Sequence, residues 1–200
     1  MFGWFRKRQL SSREANKPPV APGRTNKLAY YRSHPPRCIA GFKAQPVELP
    51  GVAFDGHGEE FNPVFTLLCT CGHGKHFVLG HYWRNPDWHN ALLFVGPFAI
   101  RCGACGKVTE LFDSAIHGWD GELGHSASYR GEGERAEFSC DRCGLQQVQV
   151  FARFEYPGDL LGPGNEEFRG REQDLFSWFS LLGKCAGCGR LLEVSDCECA

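Results

Sequence analysis

Four short cysteine knuckles, each closed by a glycine, constrain this 200-residue chain more than any other feature: Cys69-Thr70-Cys71-Gly72, Cys102-Gly103-Ala104-Cys105-Gly106, Cys140-Asp141-Arg142-Cys143-Gly144 and Cys185-Ala186-Gly187-Cys188-Gly189. Two thiolates at this spacing grip half of a tetrahedral metal ion, so four knuckles make two sites. The glycine can take a positive φ and turn backbone amides toward the sulfurs. Such amides offset part of the charge of about −2 that four thiolates leave on one divalent ion.

The compartment decides between metal and disulfide. The chain has eleven cysteines, an odd number. The apolar start Met1-Phe2-Gly3-Trp4-Phe5 gives way at once to Arg6-Lys7-Arg8, too soon for a secretory h-region, and no run is long enough to span a bilayer. The expectation is a cytoplasmic protein, where such pairs bind metal or do redox chemistry rather than form structural disulfides.

Near-neutral net charge hides an asymmetry. Residues 1–37 hold nine Lys/Arg against Glu14 alone, a net charge of +8, while the remainder holds 13 basic and 22 acidic residues, a net charge of −9. Ser11-Ser12, Pro18-Pro19, Pro22-Gly23 and Pro35-Pro36 punctuate the basic part, which reads as a disordered arm. Its Phe2, Trp4 and Phe5 beside three basic residues suit peripheral contact with an anionic membrane surface, and its charge suits nucleic acid.

Beyond residue 38 the chain repeats itself. Asp55-Gly56-His57-Gly58-Glu59-Glu60 feeds the apolar run Val64–Leu68 and a knuckle; Gly131-Glu132-Gly133-Glu134 feeds Ala136–Ser139 and a knuckle. Strand patterns follow each, His76–Trp83 and Leu92–Ile100 in the first half, Gln147–Phe154 in the second. Helix and strand cannot be told apart by period in Leu175–Leu182. The expected architecture is mainly β with small or absent helices: an arm (1–37) and two tandem modules (38–125 and 126–200), each ordered knuckle, strand, loop, strand, knuckle.

This pattern resembles the zinc-ribbon group, in which two knuckles at the ends of a β-hairpin hold one zinc. The resemblance implies Cys69, Cys71, Cys102 and Cys105 as ligands of one ion and Cys140, Cys143, Cys185 and Cys188 as ligands of a second. Two features depart from it: the first pair is Cys-x-Cys, leaving room for His73 or His76 as a ligand, and the hairpins are long. Ligand softness favours Zn2+, two per chain, over a single iron. A full thiolate shell leaves no open position for water or substrate, so the ions are expected to be structural and the chain not an enzyme.

The candidate catalytic groups are loops rich in acid and histidine (His57, His117 and His125 near Asp55, Glu59, Glu60, Asp120 and Glu122) together with His81 and His89 flanking a Trp-rich hairpin, and the common catalytic motifs are missing from the sequence. Cys38, Cys197 and Cys199 are left over as free thiols. The leading expectation is a zinc-stabilised protein that binds or regulates a protein partner, a class that includes inhibitor and immunity-type proteins. It would present aromatics such as Trp83, Trp88, Trp119 and Trp178. The second is a nucleic-acid binder using the basic arm, although an acidic body repels phosphate. The third is an enzyme built on the acidic and histidine loops.

Overall fold

The computed structural model describes residues 24–49, 62–85, 89, 91–125, 130–158, 160 and 166–199. The first acidic loop, with His57, and Trp88 lie outside them, as do residues 1–23. No helix among the described residues is long and apolar enough to cross a membrane.

Among the described residues nine strands form one sheet: β1 (Lys43–Val47), β2 (Val64–Leu68), β3 (Lys75–Asn85), β4 (Ala91–Cys102), β5 (Val108–Phe112), β6 (Ala136–Glu137), β7 (Gln147–Glu155), β8 (Trp178–Cys185) and β9 (Leu191–Glu198). The expected mainly-β class is what the chain adopts. Helices are small: α1 (Arg24–Ser33), α2 (Gly118–Leu123) and 3-10 turns at Arg37–Ile39, Glu166–Phe168 and Glu172–Asp174. Leu175–Leu182 resolves as extended chain from Trp178 onward, because β8 is a central strand covered on both faces.

The knuckles sit where strands are interrupted. β2 pairs with the end of β7 (Thr66 opposite Phe151), and after the first knuckle β3 pairs with the start of the same β7 (Lys75 opposite Gln149). Likewise β6 pairs with β3 (Leu79 opposite Glu137), and after the third knuckle β7 pairs with β3 (Phe77 opposite Gln147). Two long strands, each broken by a knuckle, therefore lie antiparallel, with His76 opposite Val148 at their centre. Each then turns back into a partner, β4 from β3 and β8 from β7, so that Cys102 lies opposite His76 and Cys185 opposite Val148. The two cysteine sets thus divide the chain in sequence, while the two halves share one sheet.

They share one core as well. Phe98 and Phe112 from the first half meet Phe154, Phe176 and Phe179 from the second, and the Phe112 and Phe179 rings stack at 4.1 Å between centroids. Burial of such rings drives the collapse, each contributing roughly 2–3 kcal/mol.

The last part of the basic segment is ordered. From Arg24 the chain is helical, and Tyr31 is buried with its ring stacked at 3.7 Å on Tyr156. Arg37 then donates from its amide and from Nε to buried Asp174, both at 2.7 Å, and shares Glu122 with Arg171. Tertiary contacts hold a segment that has no apolar stripe of its own.

Candidate metal centres

Each knuckle is a turn closed by main-chain hydrogen bonds. In three of them the glycine amide donates to the first cysteine's carbonyl four residues back: Gly106 to Cys102 at 3.0 Å, Gly144 to Cys140 at 2.8 Å and Gly189 to Cys185 at 3.0 Å. The first cysteine's own amide donates across the turn, Cys102 to Lys107, Cys140 to Leu145 and Cys185 to Arg190, at 2.9–3.0 Å. The short first knuckle keeps both bonds one residue tighter, Gly72 to the Cys69 carbonyl at 2.7 Å and Cys69 to the His73 carbonyl at 2.9 Å. All four glycines have positive φ, 93° at Gly72 and 71–73° at the others. The consequence falls on the next residue: the amides of His73 and Leu145 reach the sulfurs of Cys71 and Cys143.

The structure brings together Cys69, Cys71, Cys102 and Cys105 in one group and Cys140, Cys143, Cys185 and Cys188 in another, with the sulfurs of each group within 4.8 Å of one another. Across each site the close pairs are Cys69–Cys105 at 3.6 Å, Cys71–Cys102 at 3.7 Å, Cys140–Cys188 at 3.7 Å and Cys143–Cys185 at 3.5 Å. Four sulfurs about 2.3 Å from one ion at tetrahedral angles would lie about 3.8 Å apart. The donor set therefore fits a four-coordinate ion, with one sulfur from each cysteine and no position left over for substrate.

Electrostatics within each group are uneven. The Cys71 amide pulls the Cys69 thiol down to about 6, and the amides of Cys188 and Gly187 do the same for Cys185, also to about 6. At Cys71 and Cys143 an amide again favours the thiolate, but hydrogen bonding among the crowded sulfurs and desolvation outweigh it and push the thiols up to about 11. Four thiolates cannot crowd together unaided. A divalent cation held by these cysteines would relieve that conflict and favour the thiolate form of all four.

His76 is fully buried, its Nε2 donates to the Leu67 carbonyl at 2.9 Å, and it does not belong to the sulfur group. With four cysteines converging at the first site, neither His73 nor His76 is needed there. Of the remaining thiols, Cys38 and Cys199 are buried and belong to neither group; burial pushes Cys38 up, and Cys199 is raised first by its hydrogen bond with Cys197.

The described histidines of the acidic loops are used locally. His117 Nδ1 accepts the Asp113 amide at 3.0 Å, and His125 pairs with Asp120 at 3.0 Å. Trp119 packs edge-on against Phe168 at 5.4 Å.

Sequence reasoning passed over β9, although its alternation was legible: Leu192 and Val194 point inward while Glu193 faces out. That strand borders an open groove of about 820 Å³ whose opposite wall is β4. Comparison with protein-family models, with curated proteins and with solved structures found no match for this chain.

Proposed function

We propose that this chain is a non-enzymatic zinc protein in which two closed four-cysteine sites lock a curled β-sheet, and that the surface so held binds a protein partner. The observation that carries the reading is the closure of the sites. Eight thiols gather into two groups of four sulfurs, and the first cysteine of every knuckle is buried beneath its turn. Ions held this way supply folding free energy and offer no Lewis acid to a substrate. Zinc is favoured over iron by the commonness of structural Zn–thiolate sites and by the d10 ion's tolerance of whatever tetrahedron the fold presents.

An acidic body argues for a partner with a basic surface and against phosphate backbones. Affinity capture from a native lysate, with nuclease and salt controls, tests the reading. One stoichiometric protein recovered with zinc-loaded bait supports it; nucleic acid that persists through moderate salt overturns it.

A further inference from the structure

Part of the β4 edge has no partner among the described strands, and the geometry points to an extended peptide of a partner as the strand that pairs with it; this deepens the protein-partner reading and rests on it. The successive pairings β9–β8, β8–β7, β7–β3 and β3–β4 are all antiparallel, so β4 and β9 run in the same sense. Both line a single groove. A strand laid along the free edge of β4 in the opposite sense would be antiparallel to it, with β9 as the facing wall of the groove. Along the second half of β4 that position is already taken by β5, which pairs from Arg101 opposite Val108 to Phe98 opposite Phe112. There β5 ends. On the side away from β3, no described strand pairs with Ala91–Val95, and none pairs with the outer edge of β9. By comparison β8, the counterpart of β4, is covered by β9 along its whole length, from Trp178 opposite Glu198 to Lys184 opposite Leu191. Two unpaired edges facing one groove are a template for β-augmentation, in which main-chain bonds give affinity and side chains give selectivity.

The lining says which peptide. Leu92 is 55% exposed and Tyr82 44% exposed, both on the β3–β4 wall, while Trp178 brings an indole N–H that has no acceptor among the described residues. Four carboxylates line the groove, those of Asp141, Glu193, Asp196 and Glu198, against the single guanidinium of Arg190. Arg190 is already held by Asp141 at 3.0 and 3.1 Å, and Asp196 accepts from Ser180 and lies 3.9 Å from Arg153. Glu193 and Glu198 are exposed and form no ion pair among the described residues. The occupant is therefore a strand of about five residues, the length of the open β4 edge, in which apolar and basic side chains alternate.

Fluorescence polarisation on the full-length, zinc-loaded chain tests this. The probes are a seven-residue peptide of lysine alternating with phenylalanine and isoleucine, its glutamate counterpart, and a lysine version N-methylated at alternate residues. The lysine peptide should bind, the glutamate peptide should not, and N-methylation should abolish binding. The double substitution Glu193→Lys with Glu198→Lys should weaken the lysine peptide roughly tenfold or more while zinc content stays unchanged. Equal binding of the N-methylated peptide, equal binding by the double variant, or no binding by a sample carrying both ions would overturn the proposal. Binding that emerges only in Arg6→Glu, Lys7→Glu, Arg8→Glu protein would overturn it in favour of the chain's own basic segment. A captured partner that the double variant retains in full would overturn the groove while leaving the interaction reading intact.

Discussion

Replacing Phe179 with alanine should destabilise both halves of the molecule together. Phe179 belongs to β8 in the second half, is fully buried, and stacks on Phe112 of β5 in the first at 4.1 Å. Its ring also lies 5.5 Å from that of Phe154 and 6.5 Å from those of Phe98 and Phe176. A buried Phe→Ala change costs about 3–5 kcal/mol in lost transfer energy and residual cavity. With aromatic neighbours held by their own strands, collapse into the hole is limited, so about 4 kcal/mol is the expectation. Against a total of about 5–15 kcal/mol this is roughly a quarter or more of the stability. For a chain of this size it lowers the midpoint of thermal unfolding by roughly 10–15 °C. The assay is a thermal melt read by tryptophan fluorescence, with a chromophoric chelator reporting zinc release. The variant should lose both ions in one transition, displaced as a unit. If the ion held by Cys69, Cys71, Cys102 and Cys105 instead leaves at the wild-type temperature while the other leaves early, the shared core is refuted.

Three further outcomes follow from the knuckles and the buried histidines. Gly144 has φ 73° and no atom near the position a Cβ would take, so Gly144→Ala should cost about 1–2 kcal/mol by backbone strain alone; Gly144→Asn should cost less, as urea titration would report. Burial lowers the pKa values of His76, His81 and His117, so the unfolded chain takes up these protons first on acidification; the stability they allow is present above about pH 6.5 and is lost as pH falls. Urea midpoints should fall from pH 7 to pH 5, and His117→Asn, which keeps an acceptor for the Asp113 amide, should flatten part of that decline. Protein purified without added metal should show no visible absorption, whereas a red, thiolate-to-iron spectrum would reassign both sites.

Much of the β architecture was legible because the knuckles and the alternating runs around them are local signals. The order knuckle, strand, loop, strand, knuckle is how β3–β4 and β7–β8 are built, and the positive φ at Gly72, Gly106, Gly144 and Gly189 follows from what the turn demands. What escaped was non-local. Nothing in Val64–Thr66 or Lys75–Phe77 alone says that both segments lie along one strand, β7, because register between distant strands is set by the shared core. The helix Arg24–Ser33 was hidden because its anchor is Tyr31 against Tyr156, more than a hundred residues away. The groove escaped for the same reason: it exists only where curling brings the edges of β4 and β9 to face each other.

Metal content per chain, measured by elemental analysis on the purified wild type and on Cys102→Ser, tests the central claim most directly. Two zinc ions are expected in the wild type, and one in the variant, the survivor held by Cys140, Cys143, Cys185 and Cys188. A wild type with no bound metal, or a Cys102→Ser protein that retains both ions at full affinity, would contradict the account.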